Sequence, residues 1–210
     1  MSGSLFDNPA FLIKQNSVIT IKNNQNDSTS VYLIAINNKK YVIKKYRSNS
    51  YWKFLINLFR TSKARLCFNN SLLLKSLSIN VATPICYKEI SFFGLKFGSY
   101  FVSEYIDGVT LCDYFAKNKK PISEWQDVAN KIANLVSSLY KNNIVHHDFC
   151  GKNIMLKDGE LFLLDLEHLK QYRKKNAKFL KLHQKDIGLF LNYFNLNKDA
   201  KRLCGKTLQS

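Results

Sequence analysis

Apolar and polar residues alternate over 17–22 (SVITIK) and, less strictly, over 31–36 (VYLIAI), and the run 39–46 (KKYVIKKY) has the same strand character. The polar stretches NNQNDSTS and NNKK between them supply turn residues, so the pattern predicts a three-stranded meander. The period then becomes helical, over 51–60 (YWKFLINLFR) and 63–77 (KARLCFNNSLLLKSL). Thr83-Pro84 interrupts it and leads into strands near 85–90 and 95–105, with Gly94 between them. Gly108 closes a short turn, TLCDYFAK begins a helix, and 123–141 reads as a long amphipathic helix that opens on Ser123 ahead of Glu124. A loop and hairpin follow from Asn143, then a last apolar helix over 183–194 and a polar tail beyond Asn195. Strands come first and helices second, which is an α+β pattern in two lobes.

Composition narrows the class. With 210 residues, 46% of them hydrophobic, the chain can bury a core without a metal or disulfide staple. No apolar run approaches a membrane span, and MSGSLFDNPAFLIK lacks the basic and apolar regions of a secretory signal. The five cysteines are far apart and form no CxxC pair, so reduced and mostly buried thiols in a cytosolic protein are expected. The net charge of +17 changes the picture most. No acidic residue stands between Asp27 and Glu89, and a second basic run spans Lys170 to Lys185. That implies an anionic partner such as a membrane surface, a polyanionic substrate or a nucleic acid; a lysine-rich solvated surface is the plainer alternative. No RNP, zinc-finger or helix-turn-helix signature supports a basic nucleic-acid-binding module.

The chemistry concentrates in NIVHHDFCGKNIMLKDGELFLLDLE, residues 143–167. Ile154 to Leu156 and Leu161 to Leu164 read as two short strands joined by a Lys157-Asp158-Gly159 turn. Such a hairpin sets Asn153 and Asp165 at one end, near Asp148. Phosphoryl transfer needs that donor set: carboxylate and amide oxygens for Mg²⁺, and another carboxylate for the acceptor hydroxyl. The bland alternative is a buried hairpin with capping Asp and Asn side chains.

HHDFCGKN resembles the H-R-D-x-x-x-x-N catalytic loop of the protein-kinase-like enzymes, with His147 where arginine usually stands, and LLDLE takes the place of D-F-G. The resemblance implies a two-lobed protein-kinase-like fold, a single domain over 1–210 with an N-lobe of about 1–104 and a hinge and C-lobe over 105–210. It implies Asp148 as catalytic base, Asn153 and Asp165 as Mg²⁺ ligands, and His146 as a structural buttress. YVIKKY resembles the strand carrying the ATP lysine, which makes Lys44 the phosphate contact, with Lys45 as the alternative one residue on. FVSEYIDG resembles the hinge, whose backbone at Glu104, Tyr105 and Ile106 would bind adenine.

Three flanks resemble the bacterial lipopolysaccharide core kinases, which phosphorylate heptose or Kdo sugars. They are YVIKKYR with SKARLCFNNSLLLKSLSINVATPI, then EYIDGVTLCDY, then DLEHLKQYR with a trailing KDIGLF. That resemblance implies an ATP- and Mg²⁺-dependent sugar kinase whose acceptor is an anionic glycolipid of the lipopolysaccharide core. It also implies a cytoplasmic protein bound peripherally to the anionic inner face of the membrane. The basic charge suits such an acceptor, and 51–60 has the aromatic-basic make-up of an interfacial helix; Arg173, Lys174, Lys175, Lys178 and Lys181 are candidates to line the acceptor groove.

Two departures stand out. No glycine lies between Gly3 and Gly94, so a Gly-rich phosphate loop is missing and the Asn-rich turn 23–26 would replace it. The helix glutamate that pairs with the ATP lysine is also missing; Cys67 falls near its place, and Asn69 or Asn70 could steady Lys44 instead. A catalytically degenerate kinase-like protein and a small-molecule phosphotransferase are the alternatives within the same fold. The latter commonly takes cationic acceptors, which an acid-poor chain is ill suited to bind.

Overall fold

The computed structural model describes residues 6–15, 19–23, 29–47, 61–92, 95–117, 122–193 and 198–209. The predicted helix over 51–60, most of the turn 23–26 and Gly94 lie outside them. The chain divides into two compact units, Met1–Leu73 with Ala82–Tyr105, and Leu74–Val81 with Ile106–Ser210.

The first unit is an antiparallel sheet of β1 (Ile19–Asn23), β2 (Thr29–Ile36), β3 (Lys39–Arg47), β4 (Pro84–Phe92) and β5 (Leu95–Glu104), in the order β1-β2-β3-β5-β4. The β2–β3 hairpin runs in continuous register from Thr29↔Tyr46 to Ile36↔Lys39. Asn37 and Asn38 make its two-residue turn with φ of 50° and 60°, a backbone that asparagine tolerates better than most side chains. One face of the sheet buries Ile34, Ile43, Tyr100 and Val102 with Leu12 of the short helix α1 (Pro9–Gln15). Helix α1 lies ahead of the predicted elements. Its start is set by Asn8, whose Oδ1 accepts the Phe11 N–H at 3.2 Å. The other face packs Tyr46 and Phe101 against Ala64 and Cys67 of helix α2 (Lys63–Ser76). Ser62 caps α2 by accepting the Arg65 N–H.

The second unit is built on helix α4 (Ile122–Lys141), which follows the short α3 (Leu111–Lys117). Trp125, Val128, Ala129, Ile132, Leu135, Val136 and Leu139 are all buried, a continuous stripe at helical spacing. Thr110 and Asp113 form a capping pair at the start of α3: the Thr110 hydroxyl accepts the Asp113 N–H at 3.1 Å and donates to its carboxylate at 2.9 Å. A small sheet joins β6 (Val109–Thr110), β8 (Ile154–Lys157) and β9 (Glu160–Leu163), and β7 (Ile144–Val145) pairs with β10 (Lys170–Gln171). The chain ends in helices α5 (Ala177–Tyr193) and α6 (Lys198–Gln209).

These last two helices differ from the expected pattern. Helix α5 begins six residues before the predicted start at 183, because Asn176 caps it and its side chain accepts the Phe179 N–H at 3.0 Å. The supposed polar tail contains α6, an amphipathic helix that turns the buried Cys204 inward. Few of its residues are apolar, so the periodic signal is faint. All five thiols are free, as expected, with Cys67, Cys150 and Cys204 buried and Cys86 and Cys112 half-buried.

Candidate active site

The predicted hairpin positions the candidate residues. Strands β8 and β9 pair from Ile154↔Leu163 to Lys157↔Glu160. Asp158 and Gly159 close them with φ of 49° and 79°, as an Asp-Gly hairpin turn does. Lys131 of α4 donates to the Gly159 carbonyl and tethers the turn. At the open end, the Leu164 N–H donates to the Asn153 carbonyl at 2.8 Å, so Asn153 and Asp165 are neighbours. The Asn153 side-chain amide donates to both the backbone carbonyl and the Oδ2 of Asp148, each at 2.9 Å. Asp148 is exposed, yet its neighbour Phe149 is fully buried against Phe190 with ring centroids 5.4 Å apart. An exposed carboxylate is thus held between anchored neighbours. Asp165 itself takes a left-handed backbone, φ 59° and ψ 56°, ahead of a single 3-10 turn over Leu166–His168.

Asp186, a residue of α5 to which the sequence reading gave no role, organises this loop. Its Oδ2 accepts the N–H of His146 at 2.8 Å and that of His147 at 3.0 Å, from a buried position. The only hint in the sequence is the KDIGLF run. His146 is fully buried, and its Nε2 donates to the Leu164 carbonyl at 2.8 Å, which bridges the loop to the residue before Asp165. Burial pushes the His146 pKa below the usual histidine value, against the Leu164 hydrogen bond and the carboxylates of Asp186, Asp165 and Asp148. A neutral ring protonated on Nε2 leaves Nδ1 bare, in keeping with its having no hydrogen-bond partner among the described residues. Burial likewise pushes up the nearby thiols, Cys150 and, to about 11, Cys112, which favours the protonated form of both.

The donors present fit a hard divalent cation. Asn153 turns both amide hydrogens to Asp148, so its Oδ1 remains an acceptor, and the Leu164–Asn153 backbone bond brings Asp165, a second oxygen donor, to the same end of the hairpin. Among the described residues no group of three or more His, Cys, Asp or Glu side chains forms a metal cage. Two protein oxygens with the remainder from water and phosphate is how Mg²⁺ is usually held.

In the first unit, Lys44 pairs with Val31 and Phe101 and points to the sheet face shared with Tyr46 and α2. Lys45 points the other way, with its Nζ 5.4 Å from the Tyr100 ring centre. Cys67, near the place of the missing helix glutamate, is bonded to the Tyr46 hydroxyl at 3.3 Å. Glu104 and Tyr105 donate their N–H groups to the carbonyls of Thr83 and Lys40, and the boundary between the units falls between Tyr105 and Ile106.

The RIO domain family matches residues 97–203, half of the chain, including the whole of the catalytic loop and hairpin. The chain belongs to the RIO domain family. Comparison with curated proteins gives no sequence match. Among solved structures 1997 chains match. One is WaaP in complex with acyl carrier protein, with a TM-score of 0.67 at 15% identity, covering 96% of this chain and 82% of that one. At that identity the likeness speaks for the fold alone, and so widespread a fold selects no substrate. Family and fold together place this RIO-domain protein in the protein-kinase-like superfamily, whose phosphotransferase fold in general works with ATP and a divalent cation. No helix among its described residues is long and apolar enough to cross a membrane.

Proposed function

We propose that this RIO-domain protein transfers the γ-phosphoryl group of ATP to a heptose or Kdo hydroxyl of the lipopolysaccharide inner core. The observation that carries the reading is the Asn153 amide bridging to Asp148 at the hairpin end where the Leu164–Asn153 backbone bond also brings Asp165. Asp148 is the catalytic base: it orients the acceptor hydroxyl and takes its proton as the new O–P bond forms and the bond to the ADP oxygen breaks. Asn153 and Asp165 hold Mg²⁺, which when bound offsets the charge on the phosphates. Lys44 contacts the α- and β-phosphates, and the backbone of Glu104, Tyr105 and Ile106 receives adenine. His146 and Asp186 touch no substrate; they hold the loop.

The choice of acceptor rests on the flanks that resemble the core kinases and on charge. Lys170, Arg173, Lys174, Lys175, Lys178 and Lys181 are all exposed, and each cation near an anionic surface contributes on the order of 1 kcal/mol. The same charge supports peripheral binding at the inner face of the cytoplasmic membrane. Acyl carrier protein, the partner in the WaaP structure, is a further candidate partner to test. Incubation with Mg²⁺-ATP and deep-rough lipopolysaccharide tests the activity: Asp148→Asn and Asp165→Asn should each abolish phosphate transfer, and unchanged transfer in both would sink the mechanism. Salt-sensitive DNA binding without stabilisation by Mg²⁺-ATP would favour a nucleic-acid module instead. ATP binding without transfer to any acceptor would favour a degenerate kinase.

A further inference from the structure

The basic segment that starts at Lys170 is held at few points: Gln171 donates its side-chain amide to the Asn142 carbonyl at 3.2 Å, Lys175 lies 4.3 Å over the Tyr140 ring, and Tyr172 lies between them. Strand β10 pairs with β7 through only two residue pairs, Lys170↔Val145 and Gln171↔Ile144, too short a ladder to persist unaided. Tyr172 completes it in three ways. Its N–H donates to the Asn143 carbonyl at 2.8 Å, its hydroxyl lies 3.1 Å from His147 Nε2, and its ring meets Phe179 edge-on at 5.9 Å. Beyond it Arg173 to Lys178 are exposed, and the chain is not buried again until Phe179. Tyr172 is therefore the fixed point immediately before Arg173 and Lys174, and Lys175 over the Tyr140 ring is the next.

His147, the other end of the bond, is the residue immediately before Asp148. It has a left-handed backbone, φ 68°, which is sparsely populated by side chains of its kind. Two contacts hold it there: Asp186 accepts its N–H, and Tyr172 meets its ring. Both His147 and Tyr172 are half-buried, so water could satisfy either and burial does not force the pair. The catalytic loop that this one resembles has arginine at this place; here a neutral side chain meets a tyrosine hydroxyl carried by the basic segment.

We propose that the His147–Tyr172 hydrogen bond is a positioning device that seats the basic segment starting at Lys170 against the catalytic loop, so that an anionic acceptor gripped by Arg173 and Lys174 presents its hydroxyl to Asp148. The acceptor half rests on the phosphotransferase reading above; the latch itself does not.

Kinetics with Mg²⁺-ATP and deep-rough lipopolysaccharide separate the roles. Tyr172→Phe should raise the acceptor KM roughly three- to tenfold, the factor that one ordinary hydrogen bond carries, and leave the ATP KM unchanged. His147→Asn tolerates the left-handed backbone but cannot reach Tyr172, and should do the same. The double variant should be no worse than either single one. Additive effects, or an equal change in the ATP KM, would overturn the proposal. Amide exchange supplies a readout independent of any acceptor: Tyr172→Phe should speed exchange over 170–176 and leave α4 untouched. Unaltered exchange there removes the latch even if the kinase reading stands. Faster exchange in a protein that transfers no phosphate keeps the latch and removes the acceptor.

Discussion

Removing the Asp186 carboxylate should damage this protein more than removing any exposed charge. Its Oδ2 accepts the N–H groups of both His146 and His147. Asp186→Ala orphans both donors beside a fully buried imidazole. Leaving the buried His146 N–H without its partner costs about 1–3 kcal/mol, and the half-buried His147 N–H adds less because water can reach it; that is a sizeable share of the 5–15 kcal/mol that typically holds a domain folded. At a urea dependence of about 2 kcal/mol/M, the unfolding midpoint followed by far-UV circular dichroism should fall by about 0.5–1.5 M. Asp186→Asn keeps an acceptor oxygen and loses only the charge assistance, so it should lose about half as much. Under conditions where Asp186→Asn is still folded, displacement of the loop carrying Asp148 should slow phosphate transfer on the order of a hundredfold. A midpoint shift below about 0.25 M for Asp186→Ala, equivalent to about 0.5 kcal/mol, would refute the reasoning that this carboxylate clamps the loop.

Two further outcomes follow from the same region. Burial lowers the pKa of His146, His147 and His183. The unfolded chain therefore takes up protons first, near the usual histidine value of about 6.5. Their contribution is present above about pH 6.5 and is lost as pH falls below it toward the depressed folded values, so the urea midpoint should drop between about pH 7.5 and about pH 5.5; a flat or rising midpoint contradicts this. A methyl group on Gly151 would sit 2.9 Å from Cys112 Sγ and 3.3 Å from its backbone nitrogen. Gly151→Ala should thus cost about 1–3 kcal/mol by urea unfolding, and Cys112→Ala in the same chain should restore part of it; no recovery would mean that the backbone contact dominates.

Much of this fold follows from local pattern, and the reasons are visible residue by residue. The Asp158-Gly159 turn, the short apolar runs of β8 and β9 and the stripe on α4 are short-range signals that each segment carries alone. The same holds for the convergence of Asn153 and Asp165, because a two-residue turn fixes the register of its hairpin. Helices α1 and α5 are starker cases of missed local chemistry: each starts at an asparagine whose capping role looks, in sequence, like any other polar residue. Helix α6 was hidden by having too few apolar positions to show a period.

What the sequence by itself determined is therefore the order of the central elements, the candidate donor set at one end of the hairpin and the strongly basic charge. All three are written in residue types and spacings of a few positions. Tertiary structure alone decided what holds that donor set still. Asp186 stands forty residues from His146, and Tyr172 stands twenty-five from His147. Each bond forms only because packed helices and a two-pair ladder bring distant backbone together, and no spacing rule encodes a hydrogen bond that packing must first create.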